Sequence, residues 1–570
     1  IVFGDWSSDV CSSDLLKKKV EKQPMHSRWI NSPVIWGMLI IAVAVVIFIF
    51  SYPLKTIRRG SLEKLKSSGE KISVAVMPFQ NMTNDTNWNV WQEGIQENLI
   101  FYLSNSEVIK TREAESINTL LQSKNLIHYT SLTPSVASAI SVSLNANVFI
   151  YGNIQQAGSK VRVNAKLIDS KTEDVIRSFQ IEGPSREEII FNISDSLSRM
   201  VKDFLIISIL KKDNAEYQDI TLTNSPEAYR YYLLGKSAYY KKDNDDALHW
   251  LNQALSIDPD FTWAMRFIVG AYNEKGDWEK AKEWSLRWYK KTDRMPDKEK
   301  LWASYQYSFL FQTPNESIKI LKQLLEIDDQ NPPVYFSLGL NYSHLHQYDN
   351  AILAYEKALN IYKKWDSKPM WVLNYHNLGF SYHMTGQYKK ENKLYKKAEL
   401  HFPDNPFLIR RQAILALSEG KIKAGNEYIE KIKKNDKENS LSEGMQVSSL
   451  GLIYYQAGIM DKAVEYFKLA LSLEPENPEI IHNLAYVLIK SELDIDGALE
   501  IIEKALTLSP DHHNYLYVKG WGLYKKGKYQ EALECLQRSW DIRIDKTNYN
   551  HEVFLTLEAA KKAVDSQTNN

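Results

Sequence analysis

A few stretches of the sequence carry residue types that could support catalysis or ligand binding. Residues 522–529, GLYKKGKY, nearly match a phosphate-binding loop, but Tyr529 stands where a Ser or Thr hydroxyl would have to reach a magnesium ion. His376 and His383 share one face of a predicted helix, and His344 lies in a similar segment upstream. No Cys or paired carboxylate completes a metal site around them, and no Ser/His/Asp arrangement stands out. The sequence therefore predicts no enzyme, no cofactor and no metal ion.

The elements that would position such residues are short paired helices. Residues 450–475, LGLIYYQAGIMDKAVEYFKLALSLEP, have the pattern of one helix-turn-helix unit. Gly458 suits the turn because glycine adopts positive φ without strain. Ala463 lets the second helix approach closely, Phe467 fills the space between the helices, and Pro475 stops the second helix because it has no N–H to donate. The spacing resembles the tetratricopeptide repeat, a unit of about 34 residues.

This pattern recurs along the chain, and the recurrence predicts an all-α solenoid, because a single helical hairpin cannot bury its own apolar face. We count about nine units. Two of them, 301–329 and 406–436, have the length of a repeat but few of its marker residues. The marker residues of the other units include Leu234, Gly235, Ala247, Gly276, Ala281, Leu338, Gly339, Tyr355, Leu378, Gly379, Tyr395, Leu484, Ala498, Gly520 and Ala532.

Stacked repeats form a superhelix whose concave face is lined by the first helix of each unit. The groove residues predicted on this basis are Tyr232, Tyr239, Phe336, His344, His376, Phe380, His383, Tyr455, Tyr486, Tyr517 and Trp521. The lining is aromatic rather than cationic, and the Lys/Asn/Arg set by which some tetratricopeptide domains clamp a peptide's terminal carboxylates is absent. We therefore expect an extended or helical segment of a protein partner, held by apolar and aromatic anchors. The alternative is that several rings pack against neighbouring repeats.

The region before the repeats begins with two unusual segments. Residues 1–15 include DWSSDVCSSDL, which resembles one reading frame of a sequencing adapter, and we set them aside as not protein. Cys535 is then the single cysteine, so no internal disulfide is expected. Residues 34–54 run without a charge, and because a hydrocarbon core needs about 20 apolar residues they predict a transmembrane helix, with a cleaved signal peptide as the alternative. The flanking cations leave the orientation open.

A mixed α/β module is predicted between this segment and the repeats. The predicted strands are 72–79, 145–155, 161–169 and 174–182, and the predicted helices are 91–104 and 189–204. A turn at Gly158 makes a hairpin of the second and third strands. VAVMPFQNMT, WQEGIQENLIFYLS and NANVFIYGNIQQAGSKVRVNAKLID resemble the TolB-like amino-terminal domain found beside tetratricopeptide repeats in bacterial envelope and signalling proteins. The family's usual Asp-Gly before the helix is Glu93-Gly94 here, and the resemblance implies no catalytic residues.

The predicted fold class is multidomain: a transmembrane helix, a small α/β module and an all-α tetratricopeptide-repeat solenoid. We expect a bacterial inner-membrane protein with a single pass and a periplasmic solenoid, a cytoplasmic solenoid being the alternative. The predicted boundaries are 1–15 for the adapter, 16–33 for a flank, 34–54 for the transmembrane helix, 55–71 for a linker, 72–207 for the TolB-like module, 208–223 for a second linker, 224–545 for the solenoid and 546–570 for a capping helix and tail.

The balance of charges argues against nucleic acid as a partner. Lys plus Arg number 70 and Asp plus Glu number 70, so no net positive field draws the chain to phosphate backbones. We predict a membrane-anchored scaffold or adaptor that binds a protein partner in its groove. The alternative is the sensory and coupling half of a membrane-bound signalling regulator, whose N-terminal effector (a winged-helix DNA-binding domain, a Ser/Thr kinase or a cyclase) is missing from the sequence.

Overall fold

The structure is a computed structural model, and it describes residues 71–106, 109–126, 129–209, 223–369 and 371–568. These residues form an α/β module followed by a helical solenoid. The predicted segments 1–15, 16–33 and 34–54, and most of the two predicted linkers, lie outside the described residues.

A β-sheet with the strand order β3-β1-β4-β5-β6 forms the centre of the module. Its strands are β1 Ile72–Val76, β2 Gln80–Asn81, β3 Ile109–Thr111, β4 Val148–Ala157, β5 Lys160–Asp169 and β6 Val175–Pro184. β1 lies between β3 and β4, pairs in parallel with both, and is buried along its whole length. β4, β5 and β6 are antiparallel neighbours, and Gly158 turns between β4 and β5 with φ 57°, which confirms the predicted hairpin.

Helices cover both faces of this sheet. They are α1 Val90–Ser104, α2 Ala114–Ser123, α3 Pro134–Ser143 and α4 Glu187–Asp203. Side chains of α1 and α4 share a core with Val74 and Val76, whereas side chains of α2 and α3 share one with Ala75 and Met77. This alternation follows from the two-residue period of a strand. The sequence analysis predicted α1 and α4 but not β3, α2 or α3, although parallel strands require crossover helices between them.

In the described part of the chain, eighteen helices pair into nine units and one further helix follows. The units are 1, α5 Pro226–Tyr240 and α6 Asn244–Ile257; 2, α7 Thr262–Lys275 and α8 Trp278–Tyr289; 3, α9 Asp297–Phe311 and α10 Pro314–Ile327; 4, α11 Pro332–His344 and α12 Tyr348–Lys364; 5, α13 Leu373–Met384 and α14 Tyr388–His401; 6, α15 Pro406–Ser418 and α16 Ile422–Glu438; 7, α17 Glu443–Gln456 and α18 Met460–Leu473; 8, α19 Pro478–Lys490 and α20 Ile495–Leu508; 9, α21 His513–Lys525 and α22 Tyr529–Lys546. The last helix is α23 His551–Thr568.

Close approach of the two helices explains the glycines within the units. A Cβ added to Gly339 would lie 2.6 Å from the ring of Tyr355, and one added to Gly451 would lie 2.8 Å from the ring of Phe467. Interiors packed this densely leave no room for a methyl group. Gly458 follows the first helix of unit 7 with φ 78°, as predicted for a helix-ending turn. Helix pairs also occupy the two degenerate spans, as units 3 and 6.

No helix within the described ranges is both long enough and apolar enough to cross a bilayer. Two of the longest, α22 and α23, carry charged side chains along their length. This finding overturns the predicted fold class with its transmembrane helix, and with it the single-pass inner-membrane localisation. The fold class is corrected to a small α/β module followed by a helical solenoid. The segment that carried the prediction, 34–54, lies outside the described residues.

Candidate protein-binding groove

Contacts between the first helices of successive units define one continuous face in units 5 to 8. Arg411 of α15 donates from Nε to Nε2 of His376 on α13 at 3.1 Å, and from Nη1 to Oε1 of Gln456 on α17 at 3.1 Å. The hydroxyl of Tyr455 on α17 lies 3.5 Å from that of Tyr486 on α19. Three of these five side chains, His376, Tyr455 and Tyr486, are predicted groove residues, and the contacts together span units 5 to 8.

The module covers the corresponding face of unit 1. Tyr232 is only 1% exposed, and its hydroxyl donates to Oε2 of Glu97 on α1 at 3.1 Å. Lys236, one turn further along α5, forms a buried ion pair with the same carboxylate. The hydroxyl of Tyr229 donates to the carbonyl of Gly94 at 2.8 Å. Tyr232 is therefore enclosed between its own repeat and the module.

Tyr239, the other predicted groove residue of unit 1, also packs within the protein. The centroid of the Tyr239 ring lies 5.4 Å from that of Phe267 in unit 2. Nζ of Lys242 lies 5.7 Å from the Tyr239 centroid. Burial raises the pKa of the Tyr239 hydroxyl, and the charge of Glu274 adds to the shift. Tyr239 thus joins an aromatic cluster between two units.

A buried ion pair holds the module to the junction of units 3 and 4. Nη1 of Arg112, which follows β3, lies 2.6 Å from Oδ1 of Asp328, and the two side chains are 4% and 2% exposed. Lys110 and Asp329 form a second pair at 2.8 Å. Apolar residues of the module and of α12 form one cluster beside these pairs: Ile117, Leu120, Leu121, Ile361, Tyr362 and Trp365. The module therefore packs against the first four units of the solenoid.

A pH dependence of stability is expected from Glu299, at the start of α9, which faces Arg266 of unit 2. Glu299 is 5% exposed, and burial raises its pKa to about 7, with Arg266 opposing from 3.7 Å. Because the folded pKa lies above the ordinary 4.5, the stability from the protonated carboxyl is present below about pH 4.5 and is lost as the pH rises through 7. Glu299→Gln lacks this loss. The free energy of unfolding of the variant, relative to that of the wild type, should therefore rise by about 1–3 kcal/mol between pH 5 and pH 8.

Denaturant unfolding of both proteins at pH 5 and pH 8 measures this shift. Glu316→Gln is the matched control, since Glu316 lies on the next helix, is exposed and pairs with Lys319. Its difference from the wild type is expected to stay constant with pH. An equally constant difference for Glu299→Gln would contradict the assignment.

Unit 4 uses its predicted groove residues for packing between helices. The ring of Phe336 lies 5.7 Å from that of Tyr355 in the second helix of the same unit. His344 stacks at 6.1 Å on Phe309 of unit 3, and burial lowers its pKa. Both side chains are partly exposed.

The predicted groove residues of unit 5 surround Arg411. The guanidinium lies 4.8 Å from the ring centroid of Phe380, and Nδ1 of His376 is 2.9 Å from Oδ1 of Asn377. Burial and the neighbouring Arg411 lower the pKa of His376 to about 4, so the ring is a neutral acceptor at neutral pH. His383 instead faces the buried Glu391, with Nδ1 3.1 Å from Oε2.

Aromatic side chains continue this face through units 7, 8 and 9. The ring of Tyr486 lies 5.8 Å from that of Tyr455 and 5.4 Å from that of Trp521, which stacks on Tyr517 at 6.0 Å. Tyr517 and Trp521 are only 5% and 8% exposed, whereas Tyr455 and Tyr486 are half-buried. The two buried rings therefore support the two that reach the surface.

The last helix closes the end of this face. Glu552, at the start of α23, accepts a hydrogen bond from Tyr486 at 3.2 Å and pairs with Lys490 at 3.2 Å. The ring of the preceding His551 lies 5.2 Å from that of His346, in the turn of unit 4. The C-terminal segment thus connects unit 8 to unit 4.

Sequence analysis missed Arg411 and Phe407 because unit 6 lacks marker residues. Phe407 is 54% exposed, with its ring 6.1 Å from that of His376. The sequence feature that could have aligned unit 6 is Gly420. It follows the first helix of unit 6 with φ 72°, as Gly386 follows the first helix of unit 5 with φ 69°. Counting back from Gly420 by the interval between His376 and Gly386 reaches Arg410, the neighbour of Arg411.

Metal binding finds no support in the described ranges, where no group of three or more His, Cys, Asp or Glu side chains could hold an ion. The phosphate-loop-like stretch is the turn between α21 and α22, where Gly527 has φ 77°. It therefore lacks the strand-to-helix geometry that a phosphate-binding loop uses.

Sequence comparisons identify the repeat type. Profiles described as "Tetratricopeptide repeat" match residues 228–261 and 332–364, in units 1 and 4. A profile described as "Anaphase-promoting complex, cyclosome, subunit 3" matches residues 448–539, in units 7 to 9. The solenoid is built of tetratricopeptide repeats. The repeat type predicted from the sequence is thereby confirmed.

Curated relatives match only parts of the chain. A proposed adenylate cyclase of Rhizobium meliloti is 23% identical over 192 residues, which cover 33% of this chain and 30% of that protein. A tetratricopeptide repeat-containing protein of Methanocaldococcus jannaschii is 41% identical over 86 residues, 15% of each chain. Cell division cycle protein 16 homolog of Mus musculus is 20% identical over 370 residues, 59% of this chain and 58% of that protein. The chain spans less than two thirds of the length of each of these relatives.

Among solved structures, the Cut9-Hcn1 hetero-tetramer of the APC/C covers 58% of this chain and 64% of the matched chain, at 15% identity and a TM-score of 0.34.

Proposed function

We propose that this protein is an interaction scaffold whose solenoid binds a segment of a partner protein along the first helices of units 5 to 8. The observation that carries the proposal is the division of the solenoid's inner face. The module encloses Tyr232 in unit 1, while Phe380, Phe407, Tyr455 and Tyr486 keep exposed surface in units 5 to 8. We call the face formed by these four residues and Arg411 the open groove.

The chemistry of the open groove favours a peptide segment as the occupant. Aromatic side chains supply large contact areas at low cost in conformational entropy, and a few such anchors carry most of the affinity of an interface. Tetratricopeptide repeats present extended concave surfaces of this kind. The match of units 7 to 9 to a family described as a subunit of a multiprotein complex supports a scaffold role.

Site-specific photocrosslinking tests the proposal. A photoreactive phenylalanine analogue at Phe407 is expected to capture a partner from an extract of the source cells, because this ring is 54% exposed in the open groove. The matched control places the analogue at Leu400, which is 83% exposed but lies on α14, a second helix. A product specific to position 407 that disappears in Phe380→Ala is the expected result. Equal products at both positions, or none at 407, would reject the open groove.

A second candidate is the coupling half of a signalling regulator, favoured by the similarity to a proposed adenylate cyclase. In this case the groove would transmit binding of a partner to an effector domain encoded upstream. Reading the gene upstream of Leu16 tests this candidate. An open frame that encodes a folded effector domain supports the regulator, and translation beginning at Met25 overturns it.

A further inference from the structure

Arg411 is a half-buried cation that makes no close ion pair in the described part of the chain, although the charge of the buried Glu391 acts on it. A guanidinium has five N–H donors, and the acceptors that it reaches here, Nε2 of His376 and Oε1 of Gln456, are both neutral. No carboxylate oxygen of the described residues lies within 4.0 Å of it. Arg410, the preceding residue, is by contrast neutralised by Asp436 at 2.5 Å.

The surroundings of Arg411 hold the guanidinium in one orientation. Its plane is fixed at Nε by His376 and at Nη1 by Gln456, and one side lies 4.8 Å from the ring centroid of Phe380. The nearby Glu391 is fully buried and faces His383 at 3.1 Å. Among the described residues no acceptor lies within hydrogen-bond distance of Nη2, so this edge is available to an acceptor from a partner.

The charge and the apolar surface beside it together specify a ligand. Carboxylates bind an arginine fork through two parallel N–H···O bonds, and a partly desolvated site strengthens such bonds. Phe407 lies one helical turn before Arg411 on α15 and is 54% exposed, which offers apolar contact next to the charge. A clamp for a peptide's terminal carboxylate would use several cationic and amide donors together. Here Arg411 is a single cation, and its neighbours His376 and Gln456 accept hydrogen bonds from it, so the site suits one side-chain carboxylate better.

We propose that Arg411 binds the side-chain carboxylate of a Glu or Asp within the partner's segment, and that an apolar residue beside this acid packs on Phe407. This inference rests on the proposed function, since it assigns the partner's chemistry in the same open groove. It changes the expected ligand from a purely apolar and aromatic segment to an acidic one with apolar flanks.

Selection from a random library of dodecapeptides, displayed without a free C-terminus, tests the inference on the purified chain. Wild type is expected to enrich peptides with an internal Glu or Asp next to an apolar residue, and Arg411→Gln is expected to lose this preference. For one enriched peptide made synthetically with an amidated C-terminus, Arg411→Gln should weaken binding about tenfold or more. Replacing the peptide's Glu with Gln should weaken binding to the wild type equally and should have no further effect in the variant.

Two variants control for folding. Arg411→Lys keeps the charge but loses the fork, so it should retain part of the acid preference. Arg410→Gln removes the neutralised neighbour and should leave the acid preference intact, whatever its effect on the melting temperature. Two outcomes would overturn the role of Arg411 without touching the proposed function. One is enrichment of peptides that show no acid preference, and the other is an equal loss of the acid preference in Arg411→Gln and Arg410→Gln at equal folded fraction. Failure to enrich any peptide would reject the open groove and the proposed function with it.

Discussion

Replacing Arg112 with Ala is expected to lower the free energy of unfolding by about 3–5 kcal/mol, because the change leaves a buried carboxylate without its partner. The Asp328 side chain is 2% exposed and lies 2.6 Å from the guanidinium, which also donates to the carbonyl of Asn145 at 3.0 Å. Burial raises the pKa of Asp328 even beside Arg112. Removing the cation should raise this pKa further, so the variant should recover stability relative to the wild type as the pH falls.

Urea denaturation followed by tryptophan fluorescence measures the effect. Arg162→Ala is the matched control, because Arg162 pairs at 2.9 Å with Glu182 but both side chains are more than 40% exposed, and such surface pairs contribute at most about 1 kcal/mol. If Arg112→Ala cost no more than this control, the pair would not hold the module to units 3 and 4. The double variant with Asp328→Ala should be more stable than Arg112→Ala alone, since it no longer buries an unpaired charge.

Replacing Trp521 with Ala is expected to cost about 3–5 kcal/mol of stability, since it opens a cavity in a packed cluster. Trp521 is 8% exposed, and its ring lies between those of Tyr486 and Tyr517. Nζ of Lys490 also lies 5.4 Å from the centroid. The melting temperature should therefore fall, while the affinity for an enriched peptide, counted per folded molecule, should stay close to that of the wild type.

Phe380→Ala is the comparison for Trp521→Ala. Phe380 is half-buried, and its main neighbours are the ring of Tyr348 at 5.8 Å and the guanidinium of Arg411. Its removal should cost less stability and should weaken peptide binding, because Arg411 loses the ring against which it lies. A Trp521→Ala variant with unchanged melting temperature and lost affinity would show that Trp521 contacts the partner directly.

These variants address two parts of the solenoid. The module packs against α5 of unit 1 through Tyr232, against the end of α10 of unit 3 through the Arg112 ion pair, and against the end of α12 of unit 4 through the cluster around Trp365. The first helices of units 5 to 8 keep the open groove. A solenoid partly occupied in this way has fewer units available to a partner than its number of repeats implies.

The sequence by itself determined the repeats, because the residues that define a helical hairpin lie within one unit. Gly458, Phe467 and Pro475 act through turn geometry and contacts over a short stretch of chain. The strands β4 and β5 were predictable for the same reason, since alternation and a turn residue are local signals. The face of each first helix was likewise predictable from the helical period.

Only the tertiary structure decided which part of that face is open. Arg112 and Asp328 are 216 residues apart, and Nζ of Lys282 reaches the carbonyl of Asp545 over 263 residues. No local pattern encodes such pairings, because they depend on how successive units accumulate rotation along the solenoid. The same holds for Arg411, whose two hydrogen-bond acceptors come from units 5 and 7. The residue type was visible in the sequence, but that no described carboxylate lies within ion-pair distance of it became apparent only when the three helices were placed together.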